Sequence, residues 1–371
     1  MGAVGPGARI CTSLICHMEE IIAPVPKDLL LAELTPDKML RKTNRGDNEI
    51  YIVDWRNAPN TLREIGRLRE VCFRAEGGSS GLSMDIDEFD TMEKPYQQLL
   101  VWDPEAQAVL GGYRFILGSD IVLDADGQPH LATAHMYRFS DEFIRDYLPH
   151  TIELGRSFVA PEYQSSKAGA KALFALDNLW DGLATLMILH RNQYFFFGKM
   201  TMYSSYEPLA RDLLIHFFRK HFPGGEHLVY PIDPYEPSLD ARLAKIILRE
   251  EDFKKDYVCL KDAIKTLGTN IPPLVNSYMQ VSRSTKMLGS AVFHEFSDAV
   301  EICILLPFDD MDNDKRHRHV DSYIKQWLSE VQHRFPEMSE SVREKVSQQW
   351  NKHRQRGFFR WRRRKDSSEE K

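Results

Sequence analysis

Cysteine is scarce in this chain of 371 residues, which contains only Cys11, Cys16, Cys72, Cys259 and Cys303. Their number is odd, they are scattered, and no CxxC pair occurs. We therefore expect neither a disulfide framework nor a cysteine zinc site, and a reducing compartment fits this usage. The histidines also lack the HxxxH and HExxH spacings that place two ligands on one helix face, so we expect no metal site.

Long apolar runs are absent as well. A helix needs about 20 apolar residues to span a bilayer, and stretches such as residues 302–306 are far shorter. Residues 1–17 have neither the basic start nor the apolar centre of a signal peptide. We expect these residues to be either an unstructured leader or an artefact of the assigned start site, and we expect the protein to be cytoplasmic.

The charges are nearly balanced overall, with 48 Lys and Arg against 54 Asp and Glu, but they are unevenly distributed. Segment 352–365 holds eight basic residues and no acid. An acidic body with a basic end does not fit a nucleic-acid binder, whose basic face spreads over the fold. We therefore expect no nucleic-acid partner.

The same basic segment contains three aromatic residues, Phe358, Phe359 and Trp361. Aromatic rings can insert at the level of lipid headgroups while basic side chains bind anionic lipid. This pattern predicts a peripheral contact of residues 352–365 with the inner face of the membrane. Two alternatives stay open, namely a docking site for an acidic carrier protein and a solvated tail.

Hydrophobic periodicity indicates an α/β fold. Thr61 and Glu64 have the spacing of a capping box, which would open an amphipathic helix that ends at Gly77 and Gly78. Strands are predicted at 97–102, 109–117, 151–159 and 194–202, and further helices at 168–189 and 208–222. Helices packed on a mixed, mainly antiparallel sheet are the fold class that this order favours.

The expected organisation has five parts. After the leader, residues 18–58 form an N-terminal arm with a short strand at 49–53, and residues 59–235 form the core. Residues 236–335 are a mostly helical extension in which we expect one strand, at 298–306. Residues 336–371 are a basic amphipathic tail.

Four short blocks carry the strongest functional signal, and they occur in a fixed order. They are Leu-Arg-Glu-Val-Cys-Phe at 68–73, Asp-Glu-Phe-Asp at 87–90, Gly-Tyr-Arg-Phe at 112–115 and Glu-Leu-Gly-Arg-Ser-Phe-Val at 153–159. This order and spacing resemble the acyl-homoserine-lactone synthases of the GNAT N-acyltransferase superfamily. The segments ELGRSFVAPEYQ, FALDNLWDGLATLMI and FFFGKMTMYSSYEP are more similar to haemolysin-like GNAT proteins, which include the lyso-ornithine and lyso-glycine lipid N-acyltransferases.

This resemblance implies a GNAT fold and an N-acyltransferase that uses an acyl carrier protein thioester. The acyl group would be a 3-hydroxy fatty acyl chain, and the acceptor would be the amino group of glycine or ornithine, with glycine favoured by the long C-terminal extension. The reaction would be the first step of aminolipid synthesis. No tightly bound cofactor is expected beyond the acyl-phosphopantetheine of the carrier. Two alternatives are a homoserine-lactone-type signal synthase and a membrane-active protein without catalysis.

Amide formation from a thioester needs a neutral amine, a proton acceptor and a donor to the developing oxyanion. Glu153 lies on a predicted strand where it can face a cleft, so it is the candidate base, directly or through a water. Arg156 would point to the opposite face of a regular strand, unless a bulge brings it to the side of Glu153. A structural ion pair between Glu153 and Arg114 or Arg156 is the alternative.

Other site residues follow from the resemblance. Arg69, Asp87 and Asp90 would form a charge network that orders the loop over acceptor and acyl chain, and Arg114 would join them in binding substrate. The ring of Phe73 would edge the acyl channel. A solvated acidic loop and a core phenylalanine are the plainer alternatives.

Residues 164–171 lead into a helix at the place where GNAT enzymes bind the donor's pyrophosphate through backbone amides. The chain keeps only Gly169-Ala170 of the usual glycine-rich pattern, with Lys167 in its middle and Lys171 after it. This departure favours the single phosphate of a carrier-bound phosphopantetheine over coenzyme A, and an ordinary helix cap is the alternative. Tyr203 follows a predicted buried strand, where many GNAT enzymes have a tyrosine that protonates the leaving thiolate, although it could be a buried aromatic.

Overall fold

A sheet of eight strands organises the chain. The structure is a computed structural model that describes residues 18–164 and 170–334. In the order in which they lie side by side, the strands of this sheet are β1 Met39–Lys42, β2 Glu49–Val53, β3 Gln97–Asp103, β4 Ala108–Leu117, β6 Thr151–Val159, β7 Phe195–Met202, β10 Ala299–Pro307 and β9 Lys286–Phe293. Two short strands, β5 Tyr137–Phe139 and β8 Val229–Pro231, pair separately.

Helices cover both faces of the sheet. They are α1 Lys27–Glu33, α2 Pro59–Ala75, α3 Glu88–Thr91, α4 Ala170–Leu189, α5 Pro208–His221, α6 Ala241–Ile247, α7 Phe253–Thr266, α8 Pro273–Met279, α9 Asn313–Arg316 and α10 Ser322–Arg334. Within the described ranges no helix is both long enough and apolar enough to cross a membrane.

All neighbouring strands of the large sheet pair in antiparallel fashion except β6 and β7, which run parallel. This arrangement confirms the predicted fold class, a mainly antiparallel sheet flanked by helices. The predicted strands also match the observed ones to within about one residue. Runs of apolar residues were therefore enough to locate these strands, whereas β1, β5 and β8 were not predicted.

The predicted capping box at Thr61 is wrong. The helix α2 begins at Pro59, where a proline is tolerated because its missing N–H would have no partner in the first turn. The Thr61 hydroxyl instead donates to Glu33 at 2.8 Å, and Glu64 accepts from the backbone N–H of Val25 at 2.9 Å. These two side chains therefore attach the N-terminal arm to the core. The predicted end of the helix is correct, since Gly77 has φ +91° just beyond Ala75.

The extension contributes two strands to the sheet, and the expectation of one strand is therefore wrong. The strand β10 pairs with β7 from Val300 opposite Met202 to Pro307 opposite Phe195. The unpredicted strand β9 pairs with the other edge of β10. Only part of β9 is buried, and it includes Gly289 and Ser290, so its composition gave a weak strand signal. The rest of the extension is helical, as expected, and the domain boundaries stay predictions.

Candidate active site

A cavity opens where the two parallel strands separate. The strands β6 and β7 pair from Thr151 opposite Phe195 to Leu154 opposite Gly198, and the residues beyond these are not paired with each other. The cavity between them has a volume of about 670 Å³, which is within the usual range of small-molecule sites. Residues 154–157 of β6 form one wall, residues 199–203 form the other, and Tyr278 and Phe296 close the sides.

A bulge in β6 turns Arg156 toward the face that carries Arg114. Arg156 has φ +48°, and the register with β4 shifts between Gly112, opposite Phe158, and Arg114, opposite Gly155. A left-handed residue at a bulge reverses the alternation of side chains. Arg156 consequently forms ion pairs with Asp85 at 2.9 Å and with Asp87 at 3.5 Å, and Asp87 also binds Arg114. The predicted bulge is present.

The three charged residues expected to form a network, Arg69, Asp87 and Asp90, lie together, and Arg114 joins them. The Arg69 guanidinium, which is fully buried on α2, contacts the Asp90 carboxylate at 3.3 Å and donates to Gln98. Arg114 donates to both oxygens of Asp87 at 2.7 Å and to Asp90 at 3.2 Å. The network thus joins α2, β4 and the loop before β3, while its role in binding substrate stays a prediction.

The short helix α3 sets the geometry of the two aspartates. Asp87 is its N-cap and accepts from the backbone N–H of Phe89 at 3.1 Å, while Asp90 accepts from the backbone N–H of Asp87 at 3.2 Å. This reciprocal capping leaves each carboxylate free to bind an arginine as well. Burial by itself would raise the pKa of Asp90, but Arg69 and Arg114 hold that pKa at about 2. The Asp90 carboxylate is therefore ionised at neutral pH.

Glu153 does not line the cavity. Its carboxylate is almost fully buried and accepts hydrogen bonds from the Tyr96 hydroxyl, the Thr133 hydroxyl and the Thr133 backbone N–H. Burial raises the pKa of Glu153, and these hydrogen bonds and nearby Arg114 oppose the rise. The structure therefore gives Glu153 no direct path to a substrate in the cavity, and its role as a base stays a prediction.

Phe73 and Tyr203 both line the cavity, as does Phe296 from the segment between β9 and β10. The Phe296 ring contacts the Phe73 ring edge to face at 5.5 Å and lies 6.3 Å from the Tyr203 ring. Burial raises the pKa of Tyr203, so its hydroxyl is protonated at neutral pH. A protonated hydroxyl at this wall can donate a proton to a leaving group.

A second polar cluster on this wall was not anticipated. Lys199 is the first residue of β7 beyond its pairing with β6, and it forms an ion pair with Glu301 of β10 at 2.9 Å. Both carboxylate oxygens of Glu301 also accept from the Thr201 hydroxyl at 3.0 Å. The sequence did contain a signal for this ion pair, namely a lysine and a glutamate inside apolar strands, because such residues are rarely buried unless they are paired.

The predicted phosphate loop falls largely outside the described residues. Lys167 and Gly169 are not described, and Ala170 and Lys171 are the first two residues of α4, whose side chains are likewise not described. Their contact with the donor stays a prediction. Among the residues that the structure describes, no three His, Cys, Asp or Glu side chains lie close enough together to hold a metal ion.

Comparison with known proteins identifies the class to which this fold and cavity belong. Residues 68–173 match the family described as the acetyltransferase (GNAT) domain. Those residues contain the C-terminal half of α2, the segment with Asp87 and Asp90, and the strands β3, β4 and β6, so the match includes one wall of the cavity. The chain is therefore a GNAT acyltransferase.

Two relatives narrow the family. The glycine N(alpha)-acyltransferase of Bacteroides thetaiotaomicron is 54% identical over 308 residues, which are 83% of this chain and 91% of the relative. The glycine N(alpha)-acyltransferase of Phocaeicola vulgatus is 51% identical over 309 residues, which are 83% of this chain and 95% of the relative. This chain belongs to their family and is an N-acyltransferase.

Among solved structures, the chain is similar to FeeM, an N-acyl amino acid synthase from uncultured soil microbes. The two share 11% sequence identity with a TM-score of 0.35, over 74% of this chain and 95% of FeeM.

Membership in the family of the two glycine N(alpha)-acyltransferases does not fit the alternative of a membrane-active protein without catalysis.

Proposed function

We propose that this enzyme transfers a 3-hydroxy fatty acyl group from acyl carrier protein to the amino group of glycine, as the first step of aminolipid synthesis. The choice of glycine as the acceptor is supported by the two glycine N(alpha)-acyltransferases, which are 54% and 51% identical to this chain over 83% of its length. The cavity between β6 and β7 has room for a small amino acid beside a thioester.

The reaction forms a C–N bond and breaks a C–S bond. The glycine amine attacks the thioester carbonyl, one ammonium proton must leave, and the thiolate must take up a proton. Tyr203 lines the cavity with its hydroxyl protonated, which suits it to protonate the thiolate. Phe73, Leu154 and Met200 offer an apolar wall for the part of the acyl chain next to the thioester.

The choice of donor rests on the loop at residues 164–171. It keeps only the Gly169-Ala170 end of the pattern that binds a diphosphate, and Lys167 supplies one positive charge. One phosphate joins phosphopantetheine to a carrier protein, whereas coenzyme A carries a diphosphate. The loop therefore supports a carrier-bound donor.

The test uses the purified full chain with a 3-hydroxyacyl carrier protein or the matching acyl-coenzyme A, and with glycine, ornithine or a homoserine-derived acceptor. Mass spectrometry should find N-acyl glycine, formed much faster from the carrier thioester. Lys167→Ala should weaken use of the carrier specifically, while Lys265→Ala on the exposed side of α7 should not. A product on ornithine alone would refute the glycine proposal, and equal rates with both donors would refute the carrier proposal.

A further inference from the structure

Glycine offers an enzyme very little to recognise. It has an amine, which must react, and a carboxylate, which is therefore the only charged group left for binding. The amine nitrogen and the carboxylate oxygens of glycine are less than about 4 Å apart, given ordinary bond lengths. A cation that binds the carboxylate must accordingly lie close to the point where the amine meets the thioester.

Among the described residues that line the cavity, Arg156 and Lys199 are the only cations. They lie on opposite walls, each one or two residues beyond the last pair of β6 and β7, Leu154 with Gly198. Both are therefore at the end of the cavity where β6 and β7 come together. This is the place where a short acceptor must bind if its amine is to reach a thioester held between the strands.

Lys199 has hydrogen-bonding capacity left over. An ammonium group has three N–H donors. One contacts Glu301, and the other neighbours of the Nζ atom in the described part of the chain are the Met136 sulfur at 3.9 Å and the Phe293 ring, whose centre is 4.4 Å away. Sulfur and an aromatic face are weak partners compared with a carboxylate. Arg156, in contrast, already contacts two aspartates.

Two stacked rings cover the two cations. Phe293 lies over Lys199, Phe296 lies over Arg156 with its ring centre at 5.2 Å, and the two rings are 6.0 Å apart with planes at 17°. Both rings come from the end of the β9–β10 hairpin. They exclude water from one side of the cation pair, which strengthens any charge interaction made there.

The two cations also affect each other. Burial lowers the pKa of Lys199, and so does the positive charge of Arg156, whereas Glu301 raises it. Partly buried like charges that repel each other are unfavourable, and an anion bound beside Lys199 offsets both the burial and the repulsion. A carboxylate is such an anion.

We propose that the carboxylate of the amino-acid acceptor binds to Lys199 on the side of Arg156, beneath Phe293 and Phe296. Glu301 and Thr201 act as positioning residues that hold the lysine in this orientation. This assignment rests on the proposed function and adds to it the group that makes the enzyme select an amino acid over a simple amine.

The experiment compares glycine with glycinamide, which keeps the amine and lacks the carboxylate charge, using an acyl carrier protein thioester as donor. Wild-type enzyme should use glycine far better. Lys199→Met should lower kcat/KM for glycine by about 10- to 100-fold, the usual effect of losing a charge-assisted hydrogen bond. It should change kcat/KM for glycinamide, and the KM for the donor, by less than about threefold.

Two further variants serve as controls. Lys199→Arg keeps the charge and should retain part of the preference for glycine, while Lys265→Met removes an exposed lysine of α7 and should change nothing. Because Lys199→Met leaves Glu301 unpaired in the core, we would also combine it with Glu301→Gln to preserve folding. This double variant should show the same loss of preference.

The outcomes separate the two proposals. An enzyme that acylates glycine but whose Lys199→Met variants lose glycine and glycinamide activity equally would overturn the carboxylate site while the proposed function stands. A folded wild-type enzyme that acylates no glycine would overturn both.

Discussion

Leu154 and Gly198 form the last pair between β6 and β7, and the Leu154 carbonyl oxygen occupies the space where a side chain at residue 198 would begin. A Cβ atom added to Gly198 would lie 2.6 Å from that oxygen. The backbones of residues 154 and 198 are paired in the sheet. Relief of this contact would therefore require a change in the spacing of the two strands. Glycine at this position therefore permits close pairing immediately before the cavity opens.

Gly198→Ala should separate the two strands at the cavity. We expect the free energy of unfolding to fall by about 1–3 kcal/mol, the usual cost of overpacking, and kcat/KM to fall with it. Thermal unfolding and steady-state kinetics would measure both. Gly155→Ala is the matched comparison, because its Cβ would meet Arg114 at an ordinary 3.5 Å and should cost little stability. Equal stability of the two variants would contradict this account.

Asp90→Asn should destabilise the protein strongly. It removes a carboxylate that pairs with Arg69 and Arg114, and Arg69 would remain buried without its charged partner. Breaking such a buried pair costs about 3–5 kcal/mol. Denaturant unfolding at pH 7 would measure the loss. Asp146→Asn, in an exposed pair with Arg145, should cost less than about 1 kcal/mol.

Asp90 should also make the free energy of unfolding depend on pH in the acid range. The pKa of Asp90 is about 2 in the folded protein and 3.8 as its ordinary value. Its contribution is therefore complete above about pH 4 and lost as the pH falls toward 2, where the folded form also takes up the proton. Wild-type stability should decline across this window, and the Asp90→Asn variant should decline less. Parallel acid titrations of the two proteins would refute this expectation.

Glu153→Gln tests whether a carboxylate outside the cavity takes part in the reaction. We expect kcat to fall by about 10²- to 10⁴-fold, the usual effect of losing a general base. Glu153 would accept the ammonium proton through its hydrogen-bond partners or through a water. Since the new amide would face the donors Tyr96 and Thr133, some stability should be lost as well. A variant with lowered stability but unchanged kcat would assign Glu153 a structural role alone.

The basic tail should attach the enzyme to anionic membrane. Residues 335–371 lie outside the described part of the chain, so this prediction rests on the eight basic residues and three aromatics of 352–365. The full chain should sediment with anionic liposomes in 0.1 M salt and be released in 1 M salt, as the Debye length falls from about 10 to 3 Å. A variant ending at Gln349 should stay in the supernatant and keep its activity on soluble substrates. Sedimentation of that variant with the liposomes would locate the attachment elsewhere.

The order of strands and helices could be predicted from the sequence because each core element has its own pattern of apolar residues. The bulge at Arg156 was anticipated for a related reason, since Glu153 and Arg156 could share a face only if the strand were irregular. The strand β9 and the true partner of Thr61 were missed. The strand β9 is close in sequence to its partner β10, but its partial exposure and its glycine gave a weak strand signal. The partner of Thr61 is Glu33, which lies 28 residues earlier in the chain.

By itself the sequence determined that this chain folds as an α/β acyltransferase, because motif order and hydrophobic periodicity are local properties. Only the tertiary structure decided which charged residues reach the cavity. Glu153 is enclosed by Tyr96 and Thr133, which come from other parts of the chain. Lys199 meets Glu301 across 102 residues, because β10 pairs beside β7. Side-chain exposure depends on which distant strands and loops pack together, and no local pattern specifies that choice.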